Sequence, residues 1–155
     1  FLLGADYPES ASAASAGYID PAIDEVASIA FSFRDGVVGF SFSSWLTPGP
    51  GRTRELIAVG TDRTVKLDYV RGERIVVVDS RMVREASGDY RFIDGKESEL
   101  LVPWREPLRA ELEDFLKAAE SGGKHTPLAD AESGCRAVEV IEGLKKDGRY
   151  VRPQS

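Results

Sequence analysis

The chain holds one histidine, one cysteine and one methionine among its 155 residues, and each scarcity narrows what it can be. A lone cysteine, Cys135, makes no internal disulfide, which suits a reducing compartment such as the cytoplasm. One His and one Cys need at least two carboxylates before they make a zinc site, and no such set falls at metal-ligand spacing, so no metal is expected. Apolar runs of the ~20 residues that a membrane-spanning helix requires are missing too, so no membrane partner is expected. Massed positive charge is also lacking. The formal net charge is −6, and Arg71, Arg74, Arg81, Arg84 and Arg91 are interleaved with Glu73, Asp79, Glu85 and Asp89. A nucleic-acid binder needs a basic face to displace counterions from phosphates, so that partner is not expected either.

The rest of the composition, 42% hydrophobic and 30% charged, belongs to an ordinary globular protein. At this length a single domain over residues 1–155 buries roughly two-thirds of its extended surface and folds without metals or disulfides. The first residues, Phe1-Leu2-Leu3-Gly4, resemble the last turn of an apolar helix closed by a glycine C-cap, which leads to the expectation that the helix begins upstream.

The two-residue period of a strand runs through "EVASIAFSF", with Ala27, Ile29, Phe31 and Phe33 on one side. It resumes in "VVGFSFSSW", with Val38, Phe40 and Phe42 on one side and Trp45 on the other, and Arg34-Asp35-Gly36 supplies a hairpin turn between the two. "ESASAASAGYI" before them reads as a weak edge strand or a loop. Pro48-Gly49-Pro50-Gly51 forces a loop. "ELIAVG", "TVKLDYV" and "RIVVVDS" then read as strands, as does the stretch from Arg81 to Phe92. Five to seven short strands with hairpin-length turns imply a mostly antiparallel sheet.

Beyond Pro103 the period becomes helical. Leu108, Leu112, Phe115, Leu116 and Ala119 mark one helix, with Pro107 in its first turn. Asp130 is placed to cap a second helix that ends before Gly148, and its buried stripe is read as Cys135, Val138, Ile141 and Leu144. The expected fold is therefore α+β: a mostly antiparallel, open-faced sheet covered on one side by helices. The open face then calls for a partner.

Motifs that carry chemistry are sparse. "GPGRTR", residues 49 to 54, matches only the first two glycines of a dinucleotide fingerprint and is followed by a strand pattern, whereas pyrophosphate binding uses a helix N-terminus. Neither a Walker-type loop nor a nucleophile elbow occurs. His125, in "GGKHTPL", has no acid or nucleophile at a spacing that implies a triad, and it reads as a solvated loop histidine. Asp20, Asp24 and Glu25 read as solvated acids at the start of the first hairpin, and Glu111, Glu113 and Asp114 as the wet side of a helix. Trp45, Arg52 and Arg54 flank the Pro/Gly loop. They are either an aromatic wall and donors for a polar ligand such as a sugar, or a hairpin closure and two surface charges.

Taken in order, "FLLG", "EVASIAFSFRDGVVGFSFSSW", "ELIAVGTDRTVKLD", "EPLRAELEDFLKAAESGG" and "AESGCRAVEVIEGLKKDGRYV" resemble the C-terminal domain of the Gfo/Idh/MocA oxidoreductases over nearly the whole chain. The resemblance implies an N-terminal Rossmann domain holding NAD or NADP that is absent from this chain. It also implies a catalytic lysine in an upstream Glu-Lys-Pro motif. None of Lys66, Lys96, Lys117, Lys124, Lys145 and Lys146 precedes a proline. By this resemblance the fragment carries no catalytic or cofactor-binding residue, the loop containing Trp45 and Arg52, with Arg54 beside it, approaches the substrate, and the open sheet face joins subunits into a homo-oligomer. The implied function is that of the substrate-shaping and oligomerisation domain of an enzyme acting on a sugar, cyclitol or related polyol, inactive as a fragment. Two readings stand against it: an autonomous dimerising module without activity, and a small enzyme built on carboxylates or His125.

Overall fold

A computed structural model describes residues 7–46, 52–70, 72, 74–103, 105–123, 125 and 130–151. The fold is α+β with antiparallel sheets, as the sequence pattern implies. The chain forms two compact units, one from residues 1–48 and 114–155 and the other from residues 49–113.

The first unit is built on strands β1 (Ser10–Ala16), β2 (Val26–Ser32) and β3 (Val38–Ser44), joined by β10 (Arg149–Val151) in the order β10-β1-β2-β3. The Arg34–Gly36 turn between β2 and β3 takes positive φ at Asp35 (63°) as well as at Gly36 (75°). Asp tolerates that region better than most side chains, which is why the turn is legible as Arg-Asp-Gly. The Ser/Ala segment is a strand and not an edge: β1 pairs with β10 on one side and with β2 on the other.

The small side chains of β1 serve the packing. Register places Ala11 opposite Phe31 and Ala13 opposite Ile29, all on one face. Helix α2 (Ala131–Asp147) lies there, and its Val140 and Leu144 are buried with Ala11 while Tyr7, Ala13, Ile29 and Phe31 pack around them. Alanines let the helix approach closely, and the branched residues of α2 fill the space so opened. Both ends of α2 are closed as expected. The Asp130 carboxylate accepts from the Ser133 N–H at 2.7 Å, and Gly148 takes left-handed φ while donating to the Leu144 carbonyl.

Of the stripe expected on α2, Leu144 is buried and the other three residues are not. Cys135, Val138 and Ile141 are exposed, and the sheet side is formed by Val140 and Leu144. The helix is apolar on two sides, and contact with β1 selects one of them. Arg136, on the selected side, holds its guanidinium 4.8 Å from the Tyr7 ring centroid.

In the second unit, β4 (Glu55–Val59), β5 (Thr64–Asp68), β6 (Arg74–Val78) and β9 (Glu97–Leu101) form a sheet in that order, and β7 (Arg81–Arg84) and β8 (Tyr90–Ile93) form a separate ribbon. The stretch from Arg81 to Phe92, read as one strand, is thus a hairpin, which turns through Gly88 at φ 93°. The β4–β5 turn closes by a bond from the Gly60 N–H to the Arg63 carbonyl at 2.8 Å, without left-handed φ at Asp62. Helix α1 (Pro107–Glu120) starts under the Glu106 carboxylate, which accepts from the N–H groups of Leu108 and Arg109. Its Leu108, Leu112, Phe115 and Leu116 are exposed.

Gly134, inside α2, has open space where a Cβ would stand. Gly134→Ala is expected to raise stability by roughly 0.5–1 kcal/mol, read as a higher urea midpoint.

Candidate functional site

The one buried acid among the described residues is Glu25, 9% exposed. It lies just before β2, and its carboxylate reaches back over the loop from Gly17 to Asp24. There it accepts from the N–H groups of Tyr18 at 2.6 Å, Ile19 at 2.7 Å and Asp20 at 3.4 Å. The loop closes further through the Ile23 N–H to the Asp20 carbonyl, the Ala22 N–H to Asp20 Oδ1, and Ser15 Oγ to Asp24 Oδ1. Three converging amides make a nest for an anion, and the chain fills it with its own side chain. The Ile19 N–H foremost, with those of Tyr18 and Asp20, holds the Glu25 carboxyl below its ordinary range, although burial pushes the other way. Glu25 is therefore a structural acid, not the solvated one its position in the sequence suggests.

A lowered folded pKa means stability that is present above the ordinary glutamate range and is lost as pH falls through the folded value. Glu25→Gln is accordingly expected to unfold at lower urea than the parent at pH 7. The gap should close in acid below the ordinary glutamate range. A pH-independent gap would show that the carboxylate charge plays no part.

His125 does not stand alone in solvent. Its Nε2 lies 2.7 Å from Asp114 Oδ1 on α1, and its backbone N–H donates to Ser121 Oγ at 2.9 Å. These partners are eleven and four residues away, so an acid does face the histidine, unseen by local spacing. The pair is half-exposed. Among the described residues no serine, cysteine or lysine bonds to His125 as a nucleophile would. Helix α1 also carries Glu113, which accepts from Arg105 at 2.6 Å and from Arg109 at 2.9 Å.

A shallow concavity of about 550 Å3 in the second unit is lined by Gly60, Thr61, Asp62, Arg63, Asp79 and Arg81, with Arg63 Nε held 2.9 Å from Asp79 Oδ1. Among the described residues no group of three His, Cys, Asp or Glu converges as a metal site. No helix among them is long and apolar enough to cross a membrane.

Trp45, 87% exposed, ends the β3 side of the first unit, its N–H donating to the Glu25 carbonyl at 2.9 Å. Arg52 and Arg54 are exposed at the start of the second unit, where the Arg54 carbonyl accepts from the Tyr69 N–H. The Pro48-to-Gly51 loop between them lies outside the described residues. The residues that follow it enter strand β4, so the helix N-terminus that a pyrophosphate cradle requires is not supplied there. On the face of the first sheet opposite α2, β3 carries Val38, Phe40 and Phe42 beside the small residues of β2, and Phe40 is 81% exposed.

No family model matches the chain, and no curated protein matches it in sequence. Its fold is nonetheless that of a domain found in Gfo/Idh/MocA-type sugar dehydrogenases. UDP-N-acetylglucosamine 3-dehydrogenase GnnA from Acidithiobacillus ferrooxidans superposes with a TM-score of 0.70 at 18% identity, covering 92% of this chain and 40% of its own. Levoglucosan dehydrogenase, in complex with NADH and L-sorbose, gives 0.65 at 16% identity over 96% of this chain and 46% of its own. The WlbA dehydrogenase from Bordetella pertussis, in complex with NADH and UDP-GlcNAcA, gives 0.63 at 16% identity over 96% and 40%. At such identities the likeness is one of fold, and this chain spans less than half the length of each of these proteins.

Proposed function

We propose that residues 1–155 act as one C-terminal domain of an NAD(P)-dependent dehydrogenase in the Gfo/Idh/MocA family, acting on a sugar, cyclitol or related polyol. The observation that carries the reading is the coverage: 92–96% of this chain lies on 40–46% of three sugar dehydrogenases. In the intact enzyme a bound nicotinamide supplies the hydride acceptor, held by an upstream Rossmann domain. This chain's own part is to shape the substrate site, with Trp45 as an apolar wall and Arg52 and Arg54 as donors to hydroxyl oxygens. The open face bearing Val38, Phe40 and Phe42 joins it to a second subunit, and the enzyme works in the cytoplasm.

The fragment alone is inactive and holds no nicotinamide nucleotide. Titration with NADH, followed by its fluorescence, is expected to give no saturable change, and micromolar affinity would overturn this part of the reading. In the intact enzyme, Arg52→Ala is expected to raise KM for the polyol by roughly 10-fold with kcat little changed, because a donor to a ground-state hydroxyl binds substrate and transition state alike. An unchanged KM would remove Arg52 from the site. The exposed β3 aromatics also fit an autonomous dimerising module, and in that case no upstream nucleotide domain exists.

A further inference from the structure

We draw no further inference here: the strongest candidate, the exposed apolar stripe of helix α1 formed by Leu108, Leu112, Phe115 and Leu116, carries nothing because nothing in the structure shows what covers it.

Discussion

Leu144→Ala is expected to destabilise the first unit by about 2–5 kcal/mol, the cost of removing a branched side chain from a buried site and leaving a cavity behind. Leu144 is 5% exposed and, among the described residues, shares its buried cluster with Ala11 and Val140, with Tyr7, Ala13, Ile29 and Phe31 packed against it. Ala11 and Ala13 cannot lengthen to fill the space, and strand pairing limits how far the backbone of Ile29 and Phe31 can shift toward it. Losing the contact weakens the hold of α2 on the sheet, and β10, which begins directly after Gly148 and pairs with β1, is expected to loosen with it. Urea unfolding and amide exchange across β1 and β10 would both report it. Val138→Ala, on the exposed side of the same helix, is the control and should stay within about 0.5 kcal/mol of the parent. If Val138→Ala costs as much as Leu144→Ala, the packed side of α2 has been assigned wrongly.

Gly17→Ala is the second large effect, about 1–3 kcal/mol by the usual cost of forcing atoms into filled space. A Cβ at residue 17 would stand 2.3 Å from the Asp20 carbonyl oxygen and 2.5 Å from that of Ile23. Both are backbone atoms, so no rotamer change relieves the clash and the loop itself must open. Opening draws the amides of Tyr18, Ile19 and Asp20 away from Glu25, and a carboxylate stranded without donors in a buried place is itself unfavourable. Two readings therefore move together: the urea midpoint falls, and the Glu25 carboxyl titrates closer to its ordinary range when followed by NMR. A normal midpoint with an unmoved Glu25 titration would mean the loop absorbs the methyl group elsewhere.

Local chemistry made much of this fold legible. The hairpin of β2 and β3 showed its two-residue period and its Arg34-Asp35-Gly36 turn, and α2 announced both caps through Asp130 and Gly148, because those features act within a few residues. Features decided by distant contacts were harder to see. Alanine and serine have weak strand preference, so β1 is a strand by virtue of its two neighbours, and a three-residue β10 has no pattern of its own. The sidedness of α2 is of the same kind. Cys135, Val138 and Ile141 line up with Leu144 as well by spacing as Val140 does, and the contacts of Ala11, Ala13, Ile29 and Phe31 on remote strands distinguish them.

Site chemistry follows the same division. Glu25 looks like any acid before a strand until the Tyr18-to-Asp20 amides turn toward it, although Gly17 and the Asp20-Pro21 pair signal the turn that brings them there. The His125–Asp114 pair joins a loop to the side of a helix, and no spacing rule in a sequence anticipates it. Trp45, Arg52 and Arg54 remain a proposal about an intact enzyme, carried by their exposure and by the fold that this chain shares with sugar dehydrogenases.

The coding frame upstream of Phe1 decides whether these residues serve, as proposed, as one part of a nucleotide-dependent dehydrogenase. A glycine-rich strand–helix–strand unit followed by a Glu-Lys-Pro segment is expected in the same frame. A start codon immediately before Phe1, with no such unit, would contradict it.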